Sequence, residues 1–216
     1  MALPNFLIVG ASKAGTGSLY HYLREHPQVF MSPIKETNYF TFDGKQTRHH
    51  TVTTLEEYET LFARVTTETA IGEASPGYLR SRVAAERIRK TIPDAKIVIS
   101  LRDPVDRLYS AFLHWQRNGT AGRDFYEWFE PQAEDAHFYF PRVERFFSRF
   151  PPDRIKVLVF DDLVADTPAV LRDLFSFLDV DQGFAPDTSV AYNQAGTSMS
   201  LGVSTAIDRL SRLRFA

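Results

Sequence analysis

Short apolar runs alternate with stretches of helical periodicity along most of the chain. The runs at 6–9, 29–31, 70–73, 96–101 and 155–160 are short and largely apolar, which predicts buried strands. Between them, 55–65, 82–91, 104–117, 140–150 and 168–178 space their apolar residues as one face of a helix does. Another helical stretch, 18–26, follows the first strand. This alternation predicts an α/β protein with a mostly parallel central sheet and helices on both faces, a three-layer α/β/α arrangement. The caps agree. Asp103 before Pro104 reads as an N-cap followed by an N1 proline, and Thr167-Pro168 repeats the pattern. The polar segment 43–54 predicts a surface loop, and the basic end at 207–214 is helix-like. No repeat or linker divides the chain, so residues 1–216 read as one domain, with 118–136 as a flap or insert.

Composition narrows the class. The 216 residues are 44% apolar, enough for a substantial core, and the net charge of −2 gives no ground for a nucleic-acid partner. The absence of cysteine removes disulfides, thiolate metal sites and a cysteine nucleophile. It fits a reducing compartment, so a cytoplasmic location is expected. The N-terminus lacks the pattern of a signal peptide, and no apolar run approaches the ~18 residues of a membrane helix. Asn118-Gly119-Thr120 matches a glycosylation acceptor and reads as a turn. The histidines form no ligand set: His49-His50 lie in a polar stretch and His114 on a helix beside Trp115, so no metal is expected.

In open parallel sheets, ligands sit beyond the carboxyl ends of the strands. The segments 10–18, 32–40, 74–78, 102–107 and 161–163 therefore carry the candidate chemistry. The first is the most informative. Gly10-Ala11-Ser12-Lys13-Ala14-Gly15-Thr16-Gly17-Ser18-Leu19 is a glycine turn between strand and helix, a geometry that holds phosphate on backbone amides. Gly10 and Gly15 keep the glycine spacing of a nucleotide loop, but Thr16 stands where that loop has lysine. The lysine is Lys13, inside the turn. With phosphate on the amides of residues 14–19, Lys13 reaches the next group of the ligand and meets charge appearing on a bridging oxygen.

The second segment runs Lys35-Glu36-Thr37-Asn38-Tyr39-Phe40. A carboxylate beside aromatic rings has its pKa pushed up, toward that of a general base, and Lys35 opposes the shift. The pair also reads as a solvated ion pair on a loop. After the fourth strand come Arg102 and, two helical turns on, Ser110. An arginine with a serine hydroxyl suits a phosphate monoester; pairing of Arg102 with Asp103 or Asp106 is the alternative. Glu73-Ala74-Ser75-Pro76-Gly77-Tyr78 reads as cleft lining or as a capped turn, and the turn is preferred. Tyr39, Phe40, Tyr78, His114 and Trp115 are candidate cleft-lining residues. The stretch Asn193-Gln194-Ala195-Gly196-Thr197-Ser198 reads either as a loop over a nucleotide or as surface.

Together these segments resemble the sulfotransferases that use 3′-phosphoadenosine-5′-phosphosulfate (PAPS). The match is nearest the carbohydrate branch, including heparan sulfate sulfotransferases, and its bacterial relatives. The resemblance runs from residue 6 to about residue 200 in the family's order. It implies a P-loop-like fold and makes residues Lys13, Ala14, Gly15, Thr16, Gly17, Ser18 and Leu19 the 5′-phosphosulfate loop. Lys13 then assists the departing phosphate, Arg102 and Ser110 bind the 3′-phosphate, Glu36 is the catalytic base and Gly196 lies in a nucleotide-covering loop. Ala74 departs from the pattern: several glycan enzymes of the family have lysine there.

The expected activity is sulfuryl transfer from PAPS to a hydroxyl or amine of a carbohydrate or small-molecule acceptor, without a metal. The rivals are a P-loop kinase with a degenerate loop, which needs ATP and Mg²⁺, and a non-catalytic nucleotide-binding module. The sequence leaves the acceptor and the oligomeric state open.

Overall fold

The computed structural model describes residues 2–42, 52–117, 124–130 and 139–189. The chain divides into two units, residues 1–102 with 138–192, and residues 103–137 with 193–216.

The first unit is built on five strands, β1 (Phe6–Gly10), β2 (Val29–Met31), β3 (Ala70–Ala74), β4 (Lys96–Leu101) and β5 (Ile155–Val159). Their order in the sheet is β2-β3-β1-β4-β5 and every pairing is parallel. Strand β1 is central and buried at all five residues. Its side chains alternate between the two faces, as a strand's must. Leu7 and Val9 join Ile97 and Ile99 in one core. Phe6 and Ile8 join Val98 in the other.

Helices cover both faces. On the Leu7 side lie α2 (Leu55–Thr60), α3 (Gly77–Arg80) and α4 (Ala84–Thr91), with Tyr58, Tyr78, Leu79 and Ile88 in the core. A later helix, Phe140–Phe147, adds Phe146 to the same side. On the Phe6 side, α1 (Thr16–Glu25) contributes Leu19 and Leu23. The helices Phe160–Ala165 and Thr167–Leu178 add Leu163, Leu171, Leu174 and Phe175. The unit is thus the three-layer α/β/α sandwich that the alternating pattern predicts.

The second unit contains α5 (Pro104–Arg117) and α6 (Phe125–Phe129) among its described residues. They pack through Phe112, whose ring lies edge-on to Phe125 at 5.4 Å. Numbered in chain order, the three later helices of the first unit are α7 (Phe140–Phe147), α8 (Phe160–Ala165) and α9 (Thr167–Leu178).

Differences from the sequence reading are local. Asp103 caps α5 as expected, its carboxylate accepting from the amides of Val105 and Asp106. At α9 the cap is Asp166, not Thr167: its Oδ1 accepts from Ala169 N at 2.9 Å. Thr167 instead donates its hydroxyl to the carbonyl of Leu163. The predicted helix 55–65 ends at Thr60, because the following amides bond three residues back rather than four: Phe62 to Glu59, Ala63 to Thr60, Val65 to Phe62. Strand β5 stops at Val159, and Phe160 opens a helix. The predicted turn 75–77 runs into the short helix α3.

Candidate active site

The carboxyl ends of β1, β3 and β4 lie side by side, so the segments that follow them meet at one edge of the sheet. The first loop is pinned to β4. Ala11 N donates to the carbonyl of Ser100 at 2.6 Å, and the buried Ser100 hydroxyl donates to the carbonyl of Ala14 at 2.5 Å. Between these anchors the chain reverses through left-handed backbone at Lys13 (φ 67°) and Gly15 (φ 79°). Glycine is required at the latter: a Cβ there would lie 2.9 Å from both Leu163 and Phe160.

Helix α1 then starts at Thr16, two residues earlier than the periodicity predicts. The amides of its first turn have no carbonyl of their own helix to bond, which makes this end attractive to an anion. At the loop's margins, Ala14 N donates to Ala11 O and Leu19 N to Gly15 O, and both side chains are fully buried. The amides of Ala14 and Leu19 are thus bonded within the loop and the first turn of α1. Thr16 is itself buried.

Arg102 follows β4 directly. Its Nη1 donates to the carbonyl of Lys13 at 3.5 Å, and its guanidinium lies 4.6 Å from the centre of the Phe160 ring. Tyr139 donates its hydroxyl to the carbonyl of Arg102 at 3.0 Å. The end of β5 thus supplies the surface on which the arginine rests, and the arginine is joined to the loop that carries Lys13.

Glu36 lies on the neighbouring side of β1, beyond β2. Its backbone is left-handed (φ 65°), as is that of Asn38 (φ 53°). Each such residue costs on the order of 1–3 kcal/mol unless its surroundings hold it. Those surroundings are the exit of β3. Glu36 N donates to Ala74 O at 2.9 Å, and Asn38 N to the Ser75 hydroxyl at 3.1 Å. The Asn38 side-chain amide donates to Glu36 O at 3.1 Å. Between them Thr37 turns inward, fully buried, and donates to Glu73 Oε2 at 2.5 Å. The Tyr78 hydroxyl lies 3.1 Å from the same Thr37 oxygen. Burial pushes the Glu73 carboxyl above the usual glutamate range, against the pull of the hydrogen bond from Thr37 and of the nearby Tyr78, Ser75 and Tyr58 hydroxyls. The Tyr58 and Tyr78 phenols are raised well above theirs, by burial first and by the Glu73 charge second.

The Glu36 side chain points the other way. It is half exposed, and Lys35 Nζ donates to its Oε1 at 2.5 Å. The aromatic residues that follow do not surround it. Tyr39 stacks on Tyr58 at 4.5 Å, and Phe40 lies edge-on to Tyr58 and Tyr78. Phe40 and Tyr78 are therefore core residues, 1% and 0% exposed, which corrects their reading as stacking surfaces for an acceptor. Ser110 is buried on α5 in the second unit. Gly196, the stretch 193–198, the end at 207–214, His49-His50 and Asn118-Gly119-Thr120 lie outside the described residues.

The sequence does not single out Glu73 and Thr37. The available signal is an acid closing an otherwise apolar strand, 70–74, whose sheet neighbours leave it no water.

The sulfotransferase family model matches residues 55–185. The chain belongs to this family. A sulfotransferase from Alicyclobacillus acidocaldarius superposes with a TM-score of 0.83 at 33% identity, covering 99% of this chain and 96% of that one. Among curated proteins, a membrane-associated sulfotransferase, kil1, of Dictyostelium discoideum is 35% identical over 127 residues, 56% of this chain and 26% of its own. The human bifunctional heparan sulfate N-deacetylase/N-sulfotransferase 3 is 28% identical over 196 residues, 82% of this chain and 22% of its own. The chain thus spans about a quarter of the length of these curated relatives. Mouse sulfotransferase SULT7A1, solved in complex with PAP, shares the fold with a TM-score of 0.58 at 15% identity, over 84% of this chain and 60% of its own. Among the described residues of this sulfotransferase no helix is long and apolar enough to cross a membrane. Nor does any group of three histidine, aspartate or glutamate side chains there suit a metal ion.

Proposed function

We propose that this sulfotransferase moves a sulfuryl group from PAPS to a hydroxyl or amine of an acceptor, releasing 3′-phosphoadenosine-5′-phosphate (PAP). The observation that supports this best is the link between Arg102 and the carbonyl of Lys13. It joins a guanidinium suited to a phosphate monoester to a loop suited to the 5′-phosphate of the same nucleotide.

PAPS supplies the sulfuryl group. Glu36 takes the proton of the attacking hydroxyl or amine as the acceptor's oxygen or nitrogen bonds to sulfur. The bridging S–O bond breaks, its electron pair stays on the 5′-phosphate, and Lys13 offsets the charge that appears there. Backbone amides within residues 14–19 hold the 5′-phosphate. Arg102 binds the 3′-phosphate. Ser110 and Gly196 keep the roles that the resemblance implies, as does the reading of the whole chain as one catalytic domain. A carbohydrate acceptor is favoured by the likeness to the bifunctional heparan sulfate N-deacetylase/N-sulfotransferase. The cytoplasmic location belongs to the same proposal, and cell fractionation tests it.

The direct test is incubation of the protein with PAPS labelled in the sulfuryl group and with N-desulfated heparin, completely desulfated heparin and 4-nitrophenol as acceptors. Labelled product with one PAP released per sulfuryl transferred is the expected result. Phosphate transfer from ATP–Mg²⁺ to these acceptors, with PAPS left intact, would overturn it.

A further inference from the structure

Thr37 and Glu73 are fully buried and 36 positions apart in sequence, yet they share a hydrogen bond of 2.5 Å directly beneath Glu36. We infer that Thr37 and Glu73 are positioning residues for Glu36: their bond clamps the left-handed turn at 36–38 and so fixes where the Glu36 carboxylate points. The inference rests on the assignment of Glu36 as base.

Among the described residues the Glu36 side chain pairs with Lys35, and an exposed lysine–glutamate pair is too weak to hold a strained backbone. The restraint comes from the buried side of the turn. Flanking Thr37, the backbone amides of Glu36 and Asn38 are bonded to Ala74 O and Ser75 Oγ, and Thr37 Oγ1 also accepts from Tyr39 N at 3.4 Å. Thr37 is the point at which the turn plunges into the core, and its hydroxyl donates to the fully buried Glu73 carboxyl. Glu73 in turn sits on β3, one strand from β1, so the clamp places the base in register with the strand that ends in the Lys13 loop. Burial raises the cost of breaking this bond, since a buried carboxyl oxygen without its donor is poorly tolerated.

A base displaced by about 1 Å loses on the order of a hundredfold in rate. The test uses Thr37→Val, which keeps the shape and deletes the hydroxyl, Thr37→Ser, which keeps the hydroxyl, and each of them combined with Glu36→Gln. Transfer from labelled PAPS is followed for kcat and KM, and PAP affinity by calorimetry. Thr37→Val is expected to lower kcat by about ten- to a hundredfold with the KM for PAPS and PAP affinity unchanged. Thr37→Ser restores kcat. In the Glu36→Gln background Thr37→Val costs nothing further, because the group it positions is gone.

Wild-type kcat in Thr37→Val overturns the inference, and so does a loss that adds in full to that of Glu36→Gln, since that is the behaviour of general structural support. Wild-type kcat in Glu36→Gln alone overturns the base assignment instead. A second measurement needs no acceptor. Amide exchange of residues 35–40 in the PAP-saturated protein should quicken about tenfold in Thr37→Val, while the rest of the sheet is unchanged. Unchanged exchange at 35–40 overturns the clamp.

Discussion

Lys35 Nζ lies 2.5 Å from Glu36 Oε1, so the carboxylate assigned as base is already paired with its own neighbour. Both side chains reach solvent, at 25% and 50% exposure, and screened pairs of this kind contribute only about 0–1 kcal/mol. Lys35→Met is therefore expected to change the unfolding free energy by less than about 1 kcal/mol. Denaturant titration checks this, and a loss of several times that amount would show that the pair belongs to the scaffold.

Arg102 rests against the Lys13 loop, donating to the Lys13 carbonyl and lying over the Phe160 ring. Arg102→Ala should weaken PAP by about 10- to 100-fold, the worth of a charge-assisted hydrogen bond, with the melting temperature little changed. Isothermal titration measures it; undiminished affinity would remove Arg102 from the nucleotide site.

Gly15 combines a φ of 79° with contacts of 2.9 Å to the place a Cβ would occupy. Gly15→Ala should cost about 1–3 kcal/mol of stability from the backbone alone and should weaken PAP as the turn shifts. Unfolding curves and the same titration test both effects. Wild-type stability would mean that the turn relaxes without penalty.

Glu73 links stability to pH. Its folded-state pKa lies above the ordinary value of 4.5 because burial disfavours the charge. Below that value both folded and unfolded chains hold the proton and its burial carries no penalty. As pH rises, the unfolded chain releases the proton first, so stability falls until the folded-state pKa is passed. Glu73→Gln does not titrate, so its stability relative to wild type should rise as pH climbs above the ordinary carboxyl value of 4.5. Parallel stability curves for the two proteins would contradict this.

How much of this was legible in the sequence depended on the range of the interactions. Strands β2 and β4 and helix α5 have the predicted bounds, because periodicity and the Asp103-Pro104 cap are local signals. The cap of α9 was not legible in the same way. Asp166 and Thr167 are both good caps, and the choice fell to Asp166 once the Thr167 hydroxyl found the carbonyl of Leu163 in α8. In the site, the glycine turn and its lysine were readable because strand, turn and helix are contiguous. The inward turn of Thr37 was not, since its partner lies on another strand. The same tertiary packing took Phe40 and Tyr78 into the core, although an aromatic residue after a strand reads equally well as cleft or core.

The central claim is that the Lys13 loop and Arg102 bind an adenosine nucleotide carrying a 3′-phosphate. Calorimetric titration with PAP, run beside ATP–Mg²⁺, tests it most directly. Saturable PAP binding that Arg102→Ala weakens is expected, with ATP–Mg²⁺ much the poorer ligand. Binding of ATP–Mg²⁺ alone would contradict it.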